Sequence, residues 1–90
     1  MTDRTDIGQV VITVITEVLQ EEGVSSPEVN GGDSLTAIGV SSLVFARVTI
    51  DLEDQLGVDP FGGGLPTGTV RTVDDLVEAY VVATGEKGRS

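Results

Sequence analysis

Apolar residues near the start of the chain fall at Ile7, Val10, Val11, Val14, Ile15, Val18 and Leu19, a spacing of threes and fours that places all seven on one stripe of a helix. The pattern predicts a helix over residues 6–22, with Gly23 as its stop. Most of these residues are β-branched and would suit a strand, but strict apolar–polar alternation is absent, so the periodicity decides. A second helix is predicted over residues 42–56, where Phe45, Val48, Leu52 and Leu56 share a narrow arc when each residue advances by about 100°. On nearly the opposite side Leu43, Ala46 and Ile50 form a thinner apolar strip, flanked by Arg47, Glu53 and Asp54. A last helix carries Val73, Leu76, Val77, Tyr80 and Val81 on its apolar face, with Thr72 and Asp75 spaced as a capping box and an end before Gly85.

The segments between these helices are long. Residues 23–41 hold Pro27, the Gly31-Gly32 pair and several Ser and Asn, all turn formers. A connection of that length in a small domain is expected to be anchored or functional, and Leu35 and Ile38 are the expected anchors. Residues 57–71, "GVDPFGGGLPTGTVR", read as a Gly-rich loop with one short helical turn toward the C-terminal half. Three amphipathic helices close a core only by packing their stripes together. The expected fold is therefore all-α, a small four-helix-type bundle with three main helices, a short helix before the last of them, and a long first loop. It forms a single domain over 1–90, with an ordered core from about 5 to 84 and a tail at 85–90.

Composition narrows the chemistry. Ninety residues, 39% of them apolar, suffice for one small core. The chain has no Cys and no His, which removes disulfides, thiolate zinc sites, a thiol nucleophile and the commonest general base. A formal charge of −10 disfavours nucleic acid and favours a partner with a basic surface, although acidity also serves simple solubility. No apolar run approaches the length of a membrane span, and "MTDRTD" lacks the layout of a signal peptide. These features predict a soluble, cytoplasmic monomer with no membrane partner.

Candidate functional groups are few. "FGGGLPTGT" lacks the Lys and the preceding strand of a phosphate-binding loop. Asp51, Glu53, Asp54 and Asp59 lack the alternating ligand spacing of a Ca²⁺ loop, so neither a metal site nor a catalytic set is predicted. The paired serines of "GVSSL" remain, at the start of the second helix. One serine there is explained as a helix cap. A hydroxyl at this position is also well placed to bear a phosphate, because free amides and the positive end of the helix dipole favour an anion. If Ser41 caps the helix, Ser42 is the residue available for modification.

The stretch "DSLTAIGVSSLVFARVTIDLEDQLGV", residues 33–58, resembles the central block of the acyl carrier and peptidyl carrier proteins. In that family an acidic residue, an apolar anchor, a Gly-apolar pair and an Asp-Ser-Leu triplet lead into the second helix. The order of the flanking helices extends the likeness to residues 6–83. The resemblance implies that Ser42 carries 4′-phosphopantetheine, attached from coenzyme A by a phosphopantetheinyl transferase. The thiol of that arm would hold acyl or aminoacyl groups as thioesters, and the protein itself would catalyse nothing. It also implies that Leu43, Ala46, Arg47, Ile50, Glu53 and Asp54 face partner enzymes: an acyl- or aminoacyl-loading enzyme and the synthase and transferase domains. Ser41 stands where the family usually has Asp, Arg47 where fatty-acid carriers often have an acid, and "PFGGGLPTG" is unusually Gly-rich. These departures point to a specialised carrier of secondary metabolism. The expected protein is a discrete carrier, and its acidic second helix favours a polyketide or related acyl pathway. The alternatives are a peptidyl carrier of nonribosomal peptide synthesis and an unmodified carrier-like docking module. A small carboxylate hydrolase is a third, with little in the sequence behind it.

Overall fold

The computed structural model describes residues 4–24 and 28–87. Pro27, read above as a turn former, and residues 88–90 of the expected tail lie outside them. The chain forms α1 (Arg4–Glu21), α2 (Ser42–Leu56), a single 3₁₀ turn (Thr67–Thr69) and α3 (Val73–Lys87), with no strand among the described residues. The architecture is all-α, and the 3₁₀ turn occupies the place of the short helix.

α1 packs against both α2 and α3. Its stripe of Ile7, Val11, Val14, Ile15, Val18 and Leu19 is buried, with Val10 half-buried beside it, and this burial outweighs the weak helix preference of β-branched residues. The helix closes on Gly23, whose φ of 75° only glycine adopts without strain. The N–H of Gly23 donates to Gln20 O at 3.1 Å and that of Val24 to Leu19 O at 2.8 Å, a Schellman stop.

Two expectations about the helices are corrected. The buried line of α2 runs through Val44, Val48 and Leu52, with Phe45 and Leu56 only half-buried. The core face of α2, which packs against α1, is therefore wider than the arc predicted and includes Val44, while Phe45 turns toward Phe61 of the following loop, ring centroids 5.6 Å apart. α3 does not end before Gly85 but continues to Lys87. A helical glycine costs only about 1 kcal/mol relative to alanine. To end a helix it must take the left-handed turn, which Gly85 does not.

The long first connection is anchored by burial and by hydrogen bonds. Leu35 is buried and Ile38 half-buried, as expected, and Val29 and Val40 are buried with them. The same segment caps α3: Asp33 O accepts from Val73 N at 3.0 Å, and Gly31 O accepts from Asp74 N at 2.8 Å. Two first-turn amides of α3 are thereby satisfied by a distant loop. The Thr72 and Asp75 box supplies the rest: Thr72 Oγ1 accepts from Asp75 N at 3.1 Å, and Asp75 Oδ2 accepts from Thr72 N at 3.1 Å and from Arg71 N at 3.0 Å. Those backbone donors hold the Asp75 carboxyl below the usual carboxylate range.

Candidate functional site

The approach to α2 is built from residues 35–41. Gly39 N donates to Thr36 O at 3.2 Å and Val40 N to Leu35 O at 2.9 Å, so a single turn closes on Gly39 and drives Leu35 and Val40 into the core. Gly39 has φ 97°, and a Cβ there would stand 2.6 Å from Val24 Cγ1. Both the conformation and the space require glycine at this point.

Past that turn the two serines take different roles. Ser41 is extended, with φ −78° and ψ 175°, and its hydroxyl accepts from Val44 N at 3.2 Å. Ser41 O accepts from Phe45 N at 2.8 Å. Ser41 is thus the N-cap of α2. Ser42 is the first residue of the helix and is exposed, and its hydroxyl hydrogen-bonds to no described residue. It sits at the positive end of the α2 dipole, with one first-turn amide already taken by Ser41.

Ser42 opens on a groove of about 570 Å³. Leu35, Val40, Phe45 and Val70 supply its apolar lining, while Ser34, Thr36, Thr67 and Arg71 bring hydroxyls and one cation. Ser34 and Thr36 hydrogen-bond to each other at 3.1 Å. A larger hollow of about 750 Å³ lies between residues 58–65 and α3 and shares only Val70 with this groove, so it is not the surface onto which Ser42 opens.

The remaining residues singled out from the sequence lie along α2. Leu43 and Ile50 are each 62% exposed, large apolar side chains left in solvent, and Ala46, Glu53 and Asp54 are exposed with them. Arg47 is set apart from this strip. Its guanidinium pairs with Glu21 and, at 2.6 Å, with Glu22, across to the end of α1, and those two carboxylates hold it above its ordinary range. It ties α2 to α1 and does not stand as a free cation.

Periodicity and caps did not single out Arg71 or Val70. Each is a lone residue at the end of a Gly-rich loop, and only the docking of residues 31–35 against the start of α3 places them opposite Ser42. No group of three or more His, Cys, Asp or Glu among the described residues is placed to hold a metal. No described helix is long and apolar enough to cross a membrane.

The family described as "Phosphopantetheine attachment site" has a model that matches residues 9–79. No curated protein and no solved structure matches the chain at a significant level. The family match spans most of α1, the capped serine pair, the groove and the first half of α3. With a helix start that leaves one exposed serine beside a groove, it establishes that the chain belongs to the phosphopantetheine-attachment carrier family, whose prosthetic group is a covalently bound 4′-phosphopantetheine.

Proposed function

We propose that Ser42 is the attachment point of the 4′-phosphopantetheine and that the chain is an acyl carrier serving a polyketide or related natural-product pathway. Carrier domains of this family are generally non-catalytic and work with a phosphopantetheinyl transferase and with synthase enzymes. The observation that carries the reading is the division of labour between the serines: Ser41 Oγ is committed to Val44 N, while Ser42 Oγ is exposed and without a partner among the described residues. Chemically the residues fit the group, because a phosphodiester on Ser42 would lie at a helix N-terminus, beside a groove with room for an extended arm.

In the attachment reaction Ser42 Oγ bonds to the pantetheine-side phosphorus of coenzyme A. The phosphoanhydride bond breaks, adenosine 3′,5′-bisphosphate leaves, and the hydroxyl proton passes to a base of the transferase. When bound, the group supplies the thiol that this Cys-free chain lacks and through which acyl groups are carried in thioester linkage. The exposed Leu43, Ala46 and Ile50 with Glu53 and Asp54 form an apolar strip in an acidic surround, suited to partner enzymes with basic patches. That acidity is the reason to prefer acyl over aminoacyl cargo.

Intact-protein mass spectrometry after incubation with coenzyme A and a broad-specificity phosphopantetheinyl transferase tests the assignment. The expected result is a gain of one phosphopantetheine, mapped to Ser42 and absent in Ser42→Ala. No gain on folded protein with several transferases would transfer the weight to an unmodified docking module, which Ser41 in the usual position of Asp favours. Loading with aminoacyl groups alone would make the chain a peptidyl carrier.

A further inference from the structure

The groove beside Ser42 contains a cation whose side chain is not committed elsewhere. Among the described residues Arg4 pairs with Glu78, and Arg47 pairs with Glu21 and Glu22. Arg71 forms no ion pair there, is exposed, and lines the same groove as Ser42. Its backbone, by contrast, is fixed on both sides: the N–H donates to Asp75 Oδ2 at 3.0 Å, and the carbonyl accepts from Leu35 N at 2.9 Å. Asp75 is within electrostatic reach of Arg71, but the Oδ2 atom already receives two backbone N–H groups.

Charge makes this placement informative. The chain carries −10, so its overall field opposes a further anion. The α2 dipole offsets that only locally, and the Val44 amide is already used by Ser41. A guanidinium fork matches the oxygens of a phosphate diester and can hold two of them at once. Resting on the reading that Ser42 bears the prosthetic group, we propose that Arg71 is a positioning residue that binds the phosphodiester and lays the first part of the arm along the Val70–Thr67 side of the groove. Thr67 and Thr36 line the groove and would offer further hydrogen-bond donors to the polar part of the arm, and Phe45 and Val70 would offer an apolar wall to its methyl-bearing carbons.

The experiment compares apo and holo forms of the wild type, Arg71→Gln and Arg71→Lys. Mass mapping comes first and addresses Ser42 alone, with excess transferase so that a slower variant still reaches completion. Holo proteins then give ³¹P spectra of the phosphodiester at low and high salt, and ¹⁵N spectra of the Arg71 Nε–H in the apo and holo wild type. The expected results are a shift of the Arg71 Nε–H resonance on conversion to holo and a displaced, narrower ³¹P line in Arg71→Gln. Arg71→Lys should restore part of the ³¹P shift, and high salt should move the wild type toward the Gln variant. Apo Arg71→Gln should unfold near the wild-type temperature, since the side chain is exposed and forms no ion pair among the described residues. Complete modification of Ser42 with identical ³¹P spectra in wild type and Arg71→Gln would overturn the Arg71 assignment alone. Absence of modification on Ser42 would overturn the attachment reading and the Arg71 assignment with it.

Discussion

Leu52→Ala, set against Ile50→Ala, tests the phase of α2, on which both the core and the outward strip depend. Leu52 is fully buried, 0% exposed, while Ile50, two residues earlier on the same helix, is 62% exposed. Truncating Leu52 removes apolar carbons worth about 0.8 kcal/mol each, or roughly 2.4 kcal/mol. The cavity left behind raises the expected loss to about 2.7–5 kcal/mol. A chain of this length has a total stability of roughly 5–13 kcal/mol, so the variant lies near the edge of folding. At about 4–8 °C per kcal/mol, the melting temperature should fall by roughly 10–40 °C. Ile50→Ala removes a side chain already mostly in water and should move stability by no more than about 0.5 kcal/mol. Thermal unfolding by circular dichroism and urea denaturation measure both. Equal losses in the two variants, or a Leu52→Ala midpoint close to wild type, would show that the buried face of α2 is not the one described and would take the outward Leu43 and Ile50 strip with it.

Two further outcomes follow from the structure. Tyr80 is fully buried, and burial, reinforced by the charges of Asp59 and Glu53, pushes its phenol well above the usual value. In the unfolded chain the phenol ionises near pH ~10 while the folded protein keeps it protonated, so its contribution is intact below about pH 10 and is lost as pH rises further. As Tyr80 is the one tyrosine of the chain, near-ultraviolet tyrosinate absorbance reads it directly. Titration of the still-folded protein at the ordinary phenol value would refute the burial argument, and Tyr80→Phe should remove this part of the alkaline loss. Gly39→Ala forces an alanine to φ 97° and against Val24, and should cost about 1–3 kcal/mol in urea denaturation. An unchanged midpoint would mean that the turn before Ser41 relaxes freely.

What the sequence determined by itself is local. The three helices, the stop at Gly23, the Ser41 cap and the reciprocal Thr72–Asp75 box depend on residues within about four positions of one another, and such spacings are visible in a linear chain. The cap argument singled out Ser42 and the resemblance proposed it as the attachment point; in the structure that hydroxyl is exposed and uncommitted among the described residues. Tertiary structure decided which of several possible surfaces each helix uses. Val44 is buried in the core that α2 shares with α1, and Arg47 is withdrawn from the outward strip because the end of α1 brings Glu21 and Glu22 within reach. Val29 and Val40 enter the core because the first loop folds back to cap α3, using carbonyls of Gly31 and Asp33 far from that helix in sequence. Arg71 faces the Ser42 groove for the same reason: its own sequence neighbours specify a turn, but the pairing of residues 33–35 with 71–73 specifies what the turn confronts. Short-range hydrogen bonding and periodicity were therefore legible in advance, whereas the charge environment of the exposed serine arises from contacts between segments that only the packed core brings together.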